Sequence, residues 1–199
     1  MHCSRPWWTN WGEGACWVER PHHRRIAAVL EALNADVLAA NDCLFGGGTA
    51  MALRYGEYRE SVDIDFLVSK VEGYRQLRQR LTGPDGMRAI TRPGHALSQT
   101  REVRADQYGI RTMLQVDGVD IKFEIVLEGR IDLEAPGPDD RQCGVATLTP
   151  LDMATSKLLA NSDRWRDDAV MSRDLIDLAM MAPPKALMTQ AMAKAQGAY

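Results

Sequence analysis

Several features are missing from this sequence, and each absence narrows what the chain can be. Its four cysteines (Cys3, Cys16, Cys43, Cys143) include no CxxC pair. That scatter points to reduced thiols in a cytoplasmic protein. Cys3, Cys16, His22 and His23 match no common zinc-finger spacing, which argues against a structural zinc site. No apolar run reaches transmembrane length, so a membrane role is not expected. The opening MHCSRPWWTNWGEG has no apolar core for a signal peptide. No excess of positive charge is present either. The formal net charge is -3, so any nucleic-acid contact must use a local patch. No internal repeat, low-complexity tract, Ser-His-Asp set or Cys-His pair is visible.

What is present is ordinary globular material: 199 residues, 45% hydrophobic and 26% charged, enough for one sizeable domain with a helical appendage. Residues 1–20 hold Trp7, Trp8, Trp11 and Trp17, which reads as an irregular arm whose indoles pack on the body. From Pro21 to Ala40, Ile26, Val29, Leu30, Leu33 and Val37 recur at helical spacing. His22, His23, Arg24 and Arg25 then form a solvated, cationic helix start. Cys43-Leu44-Phe45 reads as a short strand ending in Gly46-Gly47-Gly48. A short helix follows over Thr49 to Tyr55, then a loop, then a strand over Asp63 to Val68. Val71 to Leu81 reads as helix, Met87 to Thr91 as a short strand, and Arg92 to Glu102 as loop. Ile110 to Val116 and Val119 to Leu127 flank Asp117-Gly118, a strong hairpin signal. Residues 128–144, with Pro136 and Pro138, read as a connection. Thr149-Pro150-Leu151-Asp152 is a helix start with cap, proline and acid in order. Helices to about Asn161, over Ser172 to Met181, and after Pro183-Pro184 complete the chain. The expected organisation is an N-terminal arm over 1–20, an α/β core over 21–130 and a helical part over 145–199. The fold class is α/β of the α+β kind, with a small mixed sheet flanked by helices.

The stretch from Leu44 to Val68 carries the chemistry. Residues two apart on a strand face the same side, with Cα atoms roughly 6.5–7 Å apart. Asp63 and Asp65 therefore form a pair able to share a divalent cation, and Mg²⁺ in such a site usually also contacts a phosphate. Alone, D-x-D is most simply the polar face of a strand. Upstream, however, Gly46-Gly47-Gly48 opens a helix, where bare backbone N–H groups can approach an anion. Fourteen residues lie between Gly48 and Asp63, and that combination is more specific than either part. On the Val119–Leu127 strand, Ile121, Phe123 and Ile125 take one face, and Asp120, Lys122 and Glu124 take the other.

GGGTA followed by SVDIDFLV resembles the signature of the DNA polymerase beta-like nucleotidyltransferases, and within them the AbiEii/AbiGii abortive-infection toxins of bacterial toxin–antitoxin pairs. The resemblance extends to Lys122-Phe123-Glu124-Ile125, to Lys157 and Arg164, and to Arg173-Asp174-Leu175-Ile176-Asp177-Leu178. It spans roughly residues 44–181. It implies a third carboxylate beside Asp63 and Asp65, for which Glu124 is the first choice and Asp120 the fallback. Many relatives carry Asp at that position. It further implies that Gly47, Gly48 and Thr49 cradle phosphates with help from Ser61 and Lys157, and that Asp174 contacts the nucleotide or activates the acceptor. From the residues alone, Lys157 is a snorkelling lysine, and Asp174 and Asp177 are partners for Arg173 or Arg164.

The expected activity is two-metal, Mg²⁺-dependent transfer of NMP from an NTP to an acceptor hydroxyl with release of pyrophosphate. The acceptor implied by the resemblance is a tRNA, and the implied protein partner is an antitoxin. Two alternatives stay open: a protein adenylyltransferase of the same fold, and a catalytically inactive nucleotide- or partner-binding module.

Overall fold

The computed structural model describes residues 18–199. The four arm tryptophans, Cys3 and Cys16 lie outside the described residues. Pro21–Ala32 forms α1 with proline in its first turn. The helical run expected to reach Ala40 is broken at Leu33, whose backbone is extended. Asn34 then caps a second short helix, α2 (Ala35–Ala39), accepting from the amides of Asp36 and Val37. An asparagine that satisfies free N–H groups starts a helix rather than continuing one.

Five strands make the sheet: β1 (Leu44–Gly46), β2 (Ile64–Val68), β3 (Ser98–Ala105), β4 (Gly109–Val116) and β5 (Val119–Leu127). Their spatial order is β1-β2-β5-β4-β3. The central pair, β2 and β5, is parallel, and the other neighbours are antiparallel. The sheet is therefore mixed, as expected. The Asp117-Gly118 hairpin is present, with positive φ at both residues (50° and 75°), as a tight two-residue turn requires.

Between the strands lie α3 (Gly47–Arg54) and α4 (Val71–Thr82). The helix α3 begins two residues earlier than the sequence suggests, so Gly47 and Gly48 form its first turn. Met87 to Thr91, expected as a strand, is mostly a 3-10 turn over Gly86–Ile90 that buries Met87 and Ile90. The segment read as loop, Arg92 to Glu102, holds the first part of β3. Its first five residues are exposed, so apolar alternation is absent and only the ladder to β4 reveals the strand. The connection 128–144 likewise gains β6 (Arg141–Gln142), which pairs with β7 (Val145–Ala146). It is anchored by Arg54 Nη1 donating to Asp140 at 3.0 Å.

Ile64, Phe66 and Val68 of β2 and Ile121, Phe123 and Ile125 of β5 are buried to 1% exposure or less. Tyr74, Leu77 and Leu81 of α4 and Val29, Leu30 and Leu33 join them in one core. The C-terminal helices are α5 (Pro150–Arg164), α6 (Arg173–Met181) and α7 (Lys185–Gln196). Thr149 caps α5 through the Asp152 amide at 3.2 Å. The Asp152 carboxylate, fully buried, is held by Lys194 of α7 and the Glu134 amide. Cys43 is free and buried. Cys143 is disulfide-bonded, which corrects the expectation of four reduced thiols; no local spacing flags a pairing made by tertiary structure.

Phe66 packs between Phe45 and Phe123 with its ring tilted to both, at centroid distances of 5.5 and 5.7 Å. Phe66→Ala is expected to cost about 3–5 kcal/mol of unfolding free energy, measured by urea titration.

Candidate active site

Backbone register assembles the site. Gly46 of β1 pairs with Asp65 of β2, and Asp65 pairs with Glu124 of β5. The glycine turn, the D-x-D pair and Glu124 therefore share one end of the sheet. Glu124, rather than the fallback Asp120, stands beside Asp65. Asp120 lies further along β5, exposed, and accepts from Thr100 and Gln115.

The first turn of α3 lies against the carboxylates. Gly47 has φ +68°, and a Cβ there would fall 2.5 Å from Asp65 Oδ2. Only glycine combines that backbone with that approach. A Cβ on Gly48 would meet the Arg59 guanidinium at 2.3 Å. No side chain caps α3, so its first-turn amides keep the partial positive charge of a helix start. Buried Thr49 donates to the Asp63 carbonyl at 2.5 Å and lies 2.9 Å from Ser61 Oγ. These contacts fix the chain entering β2.

That entry is braced by a residue the sequence reading placed in solvent. His23 is fully buried. The Ser61 amide donates to its Nε2 at 3.0 Å, and its Nδ1 lies 2.6 Å from Glu57. With Nε2 accepting, the ring proton is assigned to Nδ1 and donated to Glu57. Burial raises the Glu57 carboxyl, but hydrogen bonds from the Glu19 amide, His23 and the Arg20 amide outweigh it and hold it below its usual range.

The C-terminal helices add a buried charge network. The Lys157 ammonium sits 3.1 Å from Asp174 and 2.6 Å from Asp177. Arg164 grips Asp174 with two nitrogens, at 2.8 and 2.9 Å. Arg59 grips Asp177 at 2.7 and 2.9 Å, and Tyr58 donates to it at 2.6 Å. Burial raises both carboxyls, yet these cations pull each below its ordinary value: Arg164 and Lys157 for Asp174, Arg59 and Lys157 for Asp177. The loop 56–61 is thus locked to α6. Arg59, Tyr58 and His23 escaped the sequence reading because their partners are 118, 119 and 34 to 38 residues away.

Asp65 is pushed up to about 6, first by burial, then by the charge of Asp63. Lys122 and Lys157 pull the other way, and Glu124 adds to the rise. Glu124 itself is held by Arg111 and Lys122, each at 2.5 Å. Among the described residues no group of three His, Cys, Asp or Glu side chains is disposed to hold a metal ion. The donor chemistry of Asp63 and Asp65 nevertheless fits a hard divalent cation. Both are oxygen ligands, and Asp65 is destabilised as an anion by its neighbour, a penalty that a bound cation relieves.

A polar-faced sheet with glycine turn, D-x-D and a facing acid places the chain among nucleotide-transferring folds. The family model for the Nucleotidyl transferase AbiEii toxin, Type IV TA system, matches residues 28–199. The chain belongs to this family of nucleotidyltransferase toxins. Similar solved structures include a proposed nucleotidyltransferase from H. pylori, at 18% identity over 89% of this chain and 91% of that chain, TM-score 0.41. JHP933 from Helicobacter pylori is similar at 16% identity over 92% of each chain, TM-score 0.42. No curated protein matches the chain. Among the described residues no helix is long and apolar enough to cross a membrane.

The raised Asp65 value has a defined sign. Unfolded, an aspartate titrates near 3.9, so between about pH 4 and pH 6 the native state holds the extra proton. Stability therefore falls as pH rises through that window. Asp65→Asn is expected to remove this loss and to gain up to about 2–3 kcal/mol relative to the parent between pH 4 and pH 7, measured by denaturant titration without divalent cation.

Proposed function

We infer that the protein is a Mg²⁺-dependent nucleotidyltransferase that moves NMP from an NTP to an acceptor hydroxyl, with release of pyrophosphate, and that its acceptor is the 3′ end of a tRNA. The observation that carries this reading is the approach of the uncapped first turn of α3 to the carboxylates, with Gly47 against Asp65. An anion-favouring helix start beside two acids is what a metal-bound triphosphate needs.

Asp63 and Asp65 would hold the metal ions, and Glu124 would join them on release from Arg111 and Lys122. Bound there, Mg²⁺ supplies charge neutralisation of the triphosphate and activation of the acceptor oxygen. The amides of Gly47, Gly48 and Thr49 bind phosphate oxygens. Ser61, hydrogen-bonded near Thr49 and held by His23, orients the entry to Asp63. Lys157 is buried between Asp174 and Asp177 and close enough to stabilise the Asp65 anion. It assists on the phosphate side, and Asp174 positions its ammonium while facing the nucleotide. Most of the catalysis is placement and fixed charge. As in the family, the outcome is growth arrest restrained by an antitoxin.

One observation favours a second reading. Glu124 is neutralised by Arg111 and Lys122, as it would be in a catalytically silent nucleotide-binding module.

The test incubates the protein with Mg²⁺, each labelled NTP in turn, and either total tRNA or total protein. Label is expected in tRNA, reduced at least about 100-fold by Asp63→Ala, given that even groups behind the ligands cost 10–100-fold. Labelled protein instead of tRNA identifies an adenylyltransferase. NTP binding by titration calorimetry without any labelled acceptor identifies the silent module. If nothing is labelled and Asp63→Ala leaves toxicity unchanged, the transferase reading fails.

A further inference from the structure

The register that brings Glu124 to Asp65 continues across the sheet. Glu124 pairs with Arg111, and Arg111 pairs with Arg104 of the edge strand. One row thus runs Asp65, Glu124, Arg111, Arg104. A second row beside it runs Lys122, Met113, Arg101. Paired residues on adjacent strands share a face, so Arg101 and Arg104 point to the same side as the carboxylates. A β-bulge makes this possible. The two arginines are three apart, an odd spacing that would place them on opposite faces of a regular strand, but the register shifts between them.

Their electrostatics differ from those of the inner cations. Arg111 is bound by Asp106 and Glu124, and Lys122 by Glu124. Arg101 and Arg104 are exposed, and neither guanidinium has a hydrogen-bond or ion-pair partner among the described residues. On a chain of net charge -3, free cations aligned on the face of the carboxylates make a local electropositive approach. Three strand spacings, about 14 Å, separate Asp65 from Arg104, a span of a few nucleotides.

We propose that this face of β3–β4–β5 is the track along which a single-stranded RNA end reaches Asp63 and Asp65, with Arg101 and Arg104 contacting its backbone phosphates. The inference rests on the transferase reading for what happens to the RNA end, but RNA binding is measured independently of transfer. Exposed, unpaired guanidinium groups on one face suit backbone phosphates, which an unmodified protein substrate lacks. Neither arginine is among the groups assigned above to the NTP.

The test is fluorescence anisotropy with a short labelled single-stranded RNA carrying a free 3′ hydroxyl, over a salt series. Arg101→Ala/Arg104→Ala is expected to weaken binding about ten-fold at low salt and to reduce the log–log salt slope by about 1.4. NTP binding by calorimetry and the thermal midpoint should stay unchanged, and transfer to RNA should fall through a raised KM for RNA. The control is Arg75→Ala/Arg78→Ala, on the exposed side of α4, which should leave RNA binding unaltered. Equal loss in both variants, an unchanged salt slope, or binding of DNA of the same sequence in place of RNA overturns the track. Arginine-dependent RNA binding without any labelling supports the track and counts against the transferase reading. Labelling that is insensitive to the double substitution does the reverse.

Discussion

The controlling constraint is the crowding of negative charge at the end of β2. Asp65 lies beside Asp63 and in register with Glu124, and burial with these neighbours holds its proton to about pH 6. Anions this close need compensation. The fold supplies it from three directions: Lys122 and Arg111 from the sheet, Lys157 from α5, and the uncapped start of α3. The glycine turn belongs to the same constraint, since a side chain at Gly47 would occupy the space beside Asp65 that a ligand needs.

The helical part shares the apolar core through Met153, Ala154, Leu178 and Met181, and is tied to this site by charge as well. Lys157, Asp174, Asp177, Arg59 and Arg164 form one chain of contacts, and both aspartates are essentially without exposure. Such a network adds little net stability over an apolar equivalent, but removing one member strands its partner at a cost of about 3–5 kcal/mol. Its value is positional. Arg59 stands over Gly48 while its other contacts reach α6, so the loop that presents Ser61 and Asp63 cannot shift without breaking the link to the C-terminal helices. The buried His23, donating to Glu57 and accepting from Ser61, fixes the same loop from the opposite side.

What the sequence made legible was whatever is encoded locally. Alternation gave β2, β4 and β5 and the faces of Asp65 and Glu124. A first-turn proline gave the start of α1, cap chemistry gave that of α5, and Asp117-Gly118 gave the hairpin. What escaped depends on partners distant in sequence. His23 looked solvated because three polar neighbours surround it and its two partners lie near residue 60. Leu33 sits at helical spacing yet ends α1, because Asn34 recaptures the chain. The edge strand β3 has no apolar alternation over its first half. The spacing of Lys157, Asp174 and Asp177 offered both a surface salt bridge and a cleft reading. The structure pairs and buries all three, with Lys157 close enough to act on Asp65.

Edge strands are commonly blunted with charge to prevent pairing with other chains, and Arg101 and Arg104 on β3 serve that end wherever they point. Protection alone does not need both on one face. A regular strand would put residues three apart on opposite sides, where two cations would guard the edge more evenly. The bulge between them instead turns both toward the face of Asp65 and Glu124. The opposite face at this end of the strand carries Val103 and Ala105, packed against the core, so neither arginine could turn inward without burying an unpaired charge. The sheet therefore has one apolar face and one graded face, anionic at the parallel pair and cationic at the free edge. That gradient favours a polyanion at the free edge and opposes it at the acids, until a cation joins them and neutralises their charge.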